Sequence, residues 1–143
     1  MKWLIFSGNC NIIKDSRCKE SVPVIIVRGN CDAEVDQLLI KWPLQAPYTF
    51  LQIEGLRFLV THGHQVLPEE LQAQAQRYRV KLLISGHAHL SEIRKEKGVI
   101  FLNPGSPALP KDAFPRPTVA LVDGGSVRLM DVETGQNLKE VLI

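Results

Sequence analysis

Unbroken apolar runs, each closed by a glycine or a polar side chain, divide the chain. Leu4-Ile5-Phe6 before Ser7 and Val24-Ile25-Ile26-Val27 before Arg28 do not alternate, so they read as short strands buried on both faces. Residues 12–20 between them suffice for a short crossover helix, which a parallel pair requires. A second helix is expected over 33–40, ending before Pro43 because the residue preceding proline avoids the helical region. Next, "TFLQIEGLRFLVTH" predicts a hairpin turning at Glu54-Gly55. Residues 68–79 give the clearest helix: Pro68, Glu69 and Glu70 open it, and Leu67, Leu71, Ala75 and Tyr78 share a face. Leu82-Leu83-Ile84-Ser85 is another buried strand, and "EIRKEKGVIFLN" a hairpin turning near Lys97-Gly98. After a proline-rich loop over 104–117, "TVALVDGGSVRLMDV" predicts a third hairpin at Asp123-Gly124-Gly125. Strands separated by helices give way to strands linked by hairpins. This order predicts an α/β fold of two stacked mixed β-sheets flanked by helices, forming a single domain over 1–143.

Composition narrows the function classes. The formal charge of +2 comes from 17 basic and 15 acidic residues, well mixed along the chain. No basic stripe results, which argues against nucleic acid as a bound partner. The opening "MKWLIFS" has too short an apolar run for a signal sequence or a membrane span. Three cysteines (Cys10, Cys18, Cys31) are an odd number without a secretory signal, so a reducing cytoplasm is expected.

Candidate chemistry gathers where strands end. All four histidines fall into two pairs, His62-Gly63-His64 after Phe58-Leu59-Val60 and His87-Ala88-His89 after the strand ending at Ser85. Gly29-Asn30-Cys31-Asp32 follows Val27, and Gly8-Asn9-Cys10-Asn11 follows Ser7. The carboxyl ends of sheet strands are where α/β folds build their sites. Imidazole, amide oxygen and carboxylate are the donors that hold zinc, manganese or iron. In extended chain the i and i+2 side chains share a face, so each His-x-His can aim both rings at one centre or at adjacent ones.

Taken in order, "VRGNCD", "THGH", "ISGHAH" and "NPGS" resemble the motifs of the calcineurin-like metallophosphoesterases, most closely the small bacterial phosphodiesterases of the YfcE type. The resemblance runs from about residue 22 to the C-terminus. It implies paired mixed sheets and a two-metal centre hydrolysing phosphate esters by a metal-activated water. Motif by motif, Asn30, His62 and His87 are similar to the ligands of the second metal, and His89 to the imidazole ligand of the first. His64 is expected near the phosphate. Asp32 matches an acid that orients a neighbouring imidazole, and Cys31 stands where a proton donor is expected, a small buried residue being the other reading. Asn103-Pro104-Gly105-Ser106 reads as a tight turn or as support behind the site.

The family's opening Asp-x-His and its bridging Asp are not matched. "LIFSGNCN" fits two registers, and the preferred one puts Asn9 in the bridging position with the family's first strand absent. That register resembles the eukaryotic retromer scaffold subunit, which also shares the pattern His62-Gly63-His64-Gln65-Val66-x-Pro68. Such a chain is expected to be shortened at its N-terminus, with an unpaired sheet edge and hence a homodimer.

Charge sets the expected occupancy. Two unit charges about 4 Å apart repel by about 4 kcal/mol at an effective dielectric near 20, and two divalent ions by roughly 16 kcal/mol. Asn9, Asn30, His62, His87 and His89 are all neutral and cannot offset this. One divalent ion is therefore expected to bind tightly, manganese first and zinc, iron(II) or nickel behind it, with a second weak or absent. The expected activity is a phosphodiesterase on a small phosphate ester. A catalytically silent scaffold, with "PALPKDAFPRP" as docking loop, and a structural zinc site using Cys10 or Cys31 are the alternatives.

Overall fold

The computed structural model describes residues 4–7, 24–39, 43–45, 48–123 and 125–143. Strand β1 (Leu4–Ser7) pairs in parallel with β2 (Val24–Val27), and β2 in parallel with β3 (Leu44–Gln45). The crossover helix expected over 12–20, Asn9, Cys10, Cys18 and the middle of the Gly124 turn lie outside the described residues. Between β2 and β3 the chain forms a six-residue 3-10 helix, Glu34–Leu39, not the α-helix expected there. Val35 and Leu38 are exposed, so these two side chains supply none of the apolar packing that stabilises a short α-helix.

A five-stranded sheet follows, in the order β4 (Tyr48–Ile53), β5 (Leu56–Thr61), β6 (Leu82–Ile84), β8 (Val99–Pro104) and β7 (Ser91–Glu96). The β4–β5 and β7–β8 pairs are the predicted hairpins. Glu54 and Gly55 in one turn, and Lys97 and Gly98 in the other, all have positive φ. That pairing is the two-residue turn whose twist matches antiparallel strands. Strands β5, β6 and β8 are mutually parallel and form the centre of the sheet.

The central strands bury both faces, as their unbroken apolar runs require. Phe58, Val60, Leu82, Ile84, Ile100 and Leu102 point to one side, where they meet Val27, Val127 and Leu129. The intervening Leu59, Leu83, Val99 and Phe101 point to the other, against Leu71 and Ala75 of α1 (Pro68–Arg77). Helix α1 has the expected proline and glutamates in its first turn, and Leu71 and Ala75 form its buried seam. Leu67 and Tyr78 do not extend that seam. Leu67 is the exposed residue preceding the helix, and Tyr78 packs edge-on against Phe50 with ring centroids 4.9 Å apart.

A separate antiparallel sheet, β9 (Thr118–Asp123), β10 (Ser126–Asp131) and β11 (Asn137–Leu142), contributes Val127 and Leu129 to the first core. A mixed sheet stacked on a second sheet fits the expected α/β sandwich, the second sheet being antiparallel throughout where a mixed one was expected. Strand β11 escapes a reading of the sequence because "NLKEVL" neither alternates nor runs apolar, and five of its six residues are exposed. Among the described residues, no helix is long and apolar enough to cross a membrane.

Candidate metal centre

Because β5, β6 and β8 are parallel, the residues following them emerge at one edge of the sheet. β5 leads directly into His62-Gly63-His64. Gly63 has φ 91°, a value at which a side chain would be strained. The His62 and His64 rings lie 5.1 Å apart across this turn. His62 is buried at 3% exposure. β6 leads into Ser85-Gly86-His87-Ala88-His89, where His87 and His89 both have left-handed φ, 68° and 60°. That conformation costs a non-glycine residue roughly 1–2 kcal/mol, so the surrounding structure must impose it.

Hydrogen bonds do so. Gly86 N–H donates to the His62 carbonyl at 3.2 Å, and the Gly86 carbonyl accepts from Asn103 Nδ2, also at 3.2 Å. Lys111 N–H donates to the His89 carbonyl at 3.0 Å. Asn103 is itself buried, and its Oδ1 accepts from Gly105 N–H at 3.1 Å. Gly105 has φ 75°, and a Cβ there would fall 2.1 Å from Thr118 Oγ1, so only glycine fits. The Asn-Pro-Gly-Ser segment thus acts both as a turn and as a brace behind the histidine loops. Its Ser106 Oγ accepts from Leu109 N–H at 2.9 Å. The Leu109 carbonyl in turn accepts a hydrogen bond from His89 Nδ1 at 2.9 Å. This bond places the proton of neutral His89 on Nδ1 and leaves Nε2 with its lone pair.

Asn30, His62 and His87 come together. His62 Nε2 lies 3.0 Å from Asn30 Oδ1 and 3.3 Å from His87 Nδ1. A single proton on Nε2 would have to be shared between two acceptors. Two donors bound at about 2.1 Å to one divalent ion stand about 3.0 Å apart at a right angle and about 3.4 Å apart at the tetrahedral angle. Both observed spacings fit that range, so a cation among the three atoms suits the donor set. The His64 ring lies 6.1 Å from that of His87, and its buried Nδ1 has no hydrogen-bond partner among the described residues.

The converging donors are two imidazoles and an amide. Among the described residues, no three His, Cys, Asp or Glu side chains are placed to hold a metal ion. The charge of Asp32 sits nearby: its Oδ2 accepts from Gly29 N–H at 2.7 Å and closes the turn that presents Asn30. Cys31 is exposed. Asn9 lies outside the described residues.

The chain is similar to proteins already known. The model of the calcineurin-like phosphoesterase superfamily domain matches residues 2–126. Phosphodiesterase YfcE of Escherichia coli strain K12 is 45% identical over 93 residues, 64% of this chain and 48% of its own length. The chain therefore spans about half the length of that relative. A probable metallophosphoesterase of Methanothermobacter thermautotrophicus is 31% identical over 118 residues, covering 79% of this chain and 64% of its own. Among solved structures, the E. coli phosphoesterase YfcE matches with a TM-score of 0.73 at 34% identity, over 84% of this chain and 64% of that one. Zinc-complexed Vps29 from Entamoeba histolytica matches at 0.62 and 24% identity, over 85% of this chain and 70% of that one, a likeness of fold. With the family domain matched over most of its length and its fold shared with solved members, the chain belongs to the calcineurin-like phosphoesterase superfamily.

Proposed function

We propose that the histidine cluster is the divalent-cation centre of a phosphodiesterase acting on small phosphate esters. The observation that carries this reading is the meeting of Asn30 Oδ1 and His87 Nδ1 at His62 Nε2, 3.0 and 3.3 Å away. Asn30, His62 and His87 hold one cation tightly. His89, through Nε2, and Asn9 hold a second weakly or not at all, for want of carboxylates. A bound divalent cation supplies Lewis acidity toward a phosphoryl oxygen and lowers the pKa of water. His64 stands beside the phosphate and donates a hydrogen bond to it. Asp32 fixes the Asn30 turn, and the Cys31 thiol supplies a proton to the departing alcohol. With so few carboxylates among the donors, the imidazole-favouring ions zinc, iron(II) and nickel gain on manganese, and all four belong in the assay.

The test is hydrolysis of bis(p-nitrophenyl) phosphate by the full chain with each ion. Turnover should need added cation and vanish in chelator. Removing an outer partner of a metal ligand costs about 10–100-fold. His62→Ala and His87→Ala, which remove ligands, should therefore cost more than about 100-fold in kcat/KM. A rate unchanged by His87→Ala sinks the proposal.

A second reading has its own observation. The β9–β11 sheet leaves Val119, Leu121 and Leu142 exposed, an apolar surface that suits a silent scaffold of the same fold. Inactivity with all four ions, together with a stable partner protein, would decide for it.

A further inference from the structure

The sheet face that α1 covers has an open margin along β4. Strand pairing sets its rows: Tyr48 lies beside Thr61, Phe50 beside Leu59, and Gln52 beside Arg57. Leu59 packs toward α1, whereas Leu51 and Ile53 pack into the opposite core. Tyr48, Phe50, Gln52 and Arg57 therefore share the helix side. Lys81 joins them, since it precedes Leu82 as Arg57 precedes the paired Phe58, and its N–H donates to the Arg57 carbonyl at 2.9 Å. The end of α1 meets this margin. Tyr78 packs edge-on against Phe50, and its carbonyl accepts from Arg57 Nη1 at 3.0 Å.

Two features of the strip point to a ligand. Tyr48, Phe50 and Tyr78 are 43%, 42% and 45% exposed, so each ring keeps close to half its surface open. Tyr48 and Phe50 stand about 7 Å apart along the strand. Arg57, Arg77, Arg79 and Lys81 are all exposed, and among the described residues no ion pair joins any of them to an acid. Glu69 and Glu70 lie in the first turn of α1, at its far end, and Glu54 lies in the β4–β5 turn. Charge is well mixed along the chain, which argued against a nucleic-acid partner. Strand pairing nonetheless makes neighbours of Arg57 and Lys81, so the basic strip exists only in the folded sheet.

We propose that this strip binds single-stranded nucleic acid. Bases stack on Tyr48, Phe50 and Tyr78, and phosphates pair with Arg57, Arg79 and Lys81. Half-open rings spaced along a strand suit successive unpaired bases, as on other sheet surfaces that hold single strands. An acidic peptide would neutralise the cations and leave the rings without stacking partners, and a duplex keeps its base faces covered. Neither stacking nor phosphate pairing reads the sugar, so DNA and RNA strands both fit. None of these residues belongs to the proposed cation site, and the two readings stand or fall separately.

The experiment follows the fluorescence anisotropy of short labelled strands of mixed sequence, one DNA and one RNA, titrated with the full chain. Chelator is present throughout, so occupancy of the cation centre plays no part. Both strands should bind saturably, with a Kd of about 100 µM or tighter at about 50 mM salt. Three phosphate contacts give a log–log salt slope of about −2, so fourfold more salt should weaken binding roughly 15-fold. Tyr48→Ala and Lys81→Gln change exposed side chains, and both variants should keep the wild-type thermal transition. Tyr48→Ala should weaken binding about fivefold or more. Lys81→Gln should flatten the salt slope by about 0.7. Absence of saturable binding up to about 1 mM protein overturns the proposal. So does competition by duplex DNA or poly-L-glutamate as effective as that of unlabelled single strand. Wild-type affinity in Tyr48→Ala together with an unchanged slope in Lys81→Gln overturns it as well.

Discussion

Asn103 bonds two loops at once, and the positions of the histidines depend on both bonds. Its Nδ2 holds the Gly86 carbonyl at 3.2 Å and its Oδ1 holds Gly105 N–H at 3.1 Å. Next along the chain, His87 has a left-handed φ of 68°, a conformation that persists only where the surrounding structure imposes it. Asn103→Ala strands the Gly86 carbonyl and the Gly105 N–H in a partly buried setting, at a cost of about 1 kcal/mol or more. Its urea midpoint should fall at unchanged slope. Cation-dependent hydrolysis should fall by about tenfold or more, although Asn103 is not a proposed ligand. Full activity in this variant would show that the Gly86 anchor is dispensable. Asn103 was legible in the sequence only as part of a turn motif, because nothing local reveals that its amide reaches a loop 17 residues earlier.

Among the elements, the turn between β10 and β11 shows how one carboxylate organises a hairpin. Asp131 Oδ1 accepts from Glu133 N–H at 2.8 Å and from Thr134 N–H at 3.0 Å. Its pKa lies below the ordinary 3.8, first through the Thr134 backbone N–H and, against the opposing effect of burial, through Glu133 N–H, the Thr134 hydroxyl and the charge of Arg116. A folded-state pKa below the unfolded value contributes stability that is present above the unfolded pKa and lost as pH falls through the folded one. Asp131→Asn should therefore be less stable than wild type at neutral pH. The difference should shrink progressively once pH drops below about 4, as urea midpoints across a pH series would measure. A gap that stays constant down to strong acid would contradict this account. The same turn pairs β11 with β10 through a register shift at Leu129/Met130, so the exposed last strand is held by its turn and ladder more than by its apolar residues.

For the whole molecule, a cation held by groups from three separate segments should stabilise the fold that assembles them. Asn30, His62 and His87 lie far apart in sequence and meet only in the native state. A ligand bound solely by the folded form raises stability by about 2.7 kcal/mol at a hundred times its dissociation constant. Thermal unfolding with manganese or zinc should show a rise in Tm that chelator reverses and that His87→Ala abolishes. A cation-induced rise of equal size in His87→Ala would place the binding elsewhere. This measurement needs no turnover, so it also separates an inactive metal-binding scaffold from one that binds no metal.

The sequence by itself determined the strands of the central sheet, their hairpins, the amphipathic seam of α1 and the grouping of imidazoles at strand ends. These are local: side-chain periodicity, turn chemistry and short motifs are written in neighbouring residues. Tertiary structure decided which strand-end groups share a point in space, and which of them hydrogen-bond the loops instead, as His89 does with Leu109. It also decided that β11 is a strand and that 34–39 winds as a 3-10 helix. Those outcomes depend on contacts between residues distant along the chain, where packing and pairing outweigh local preference.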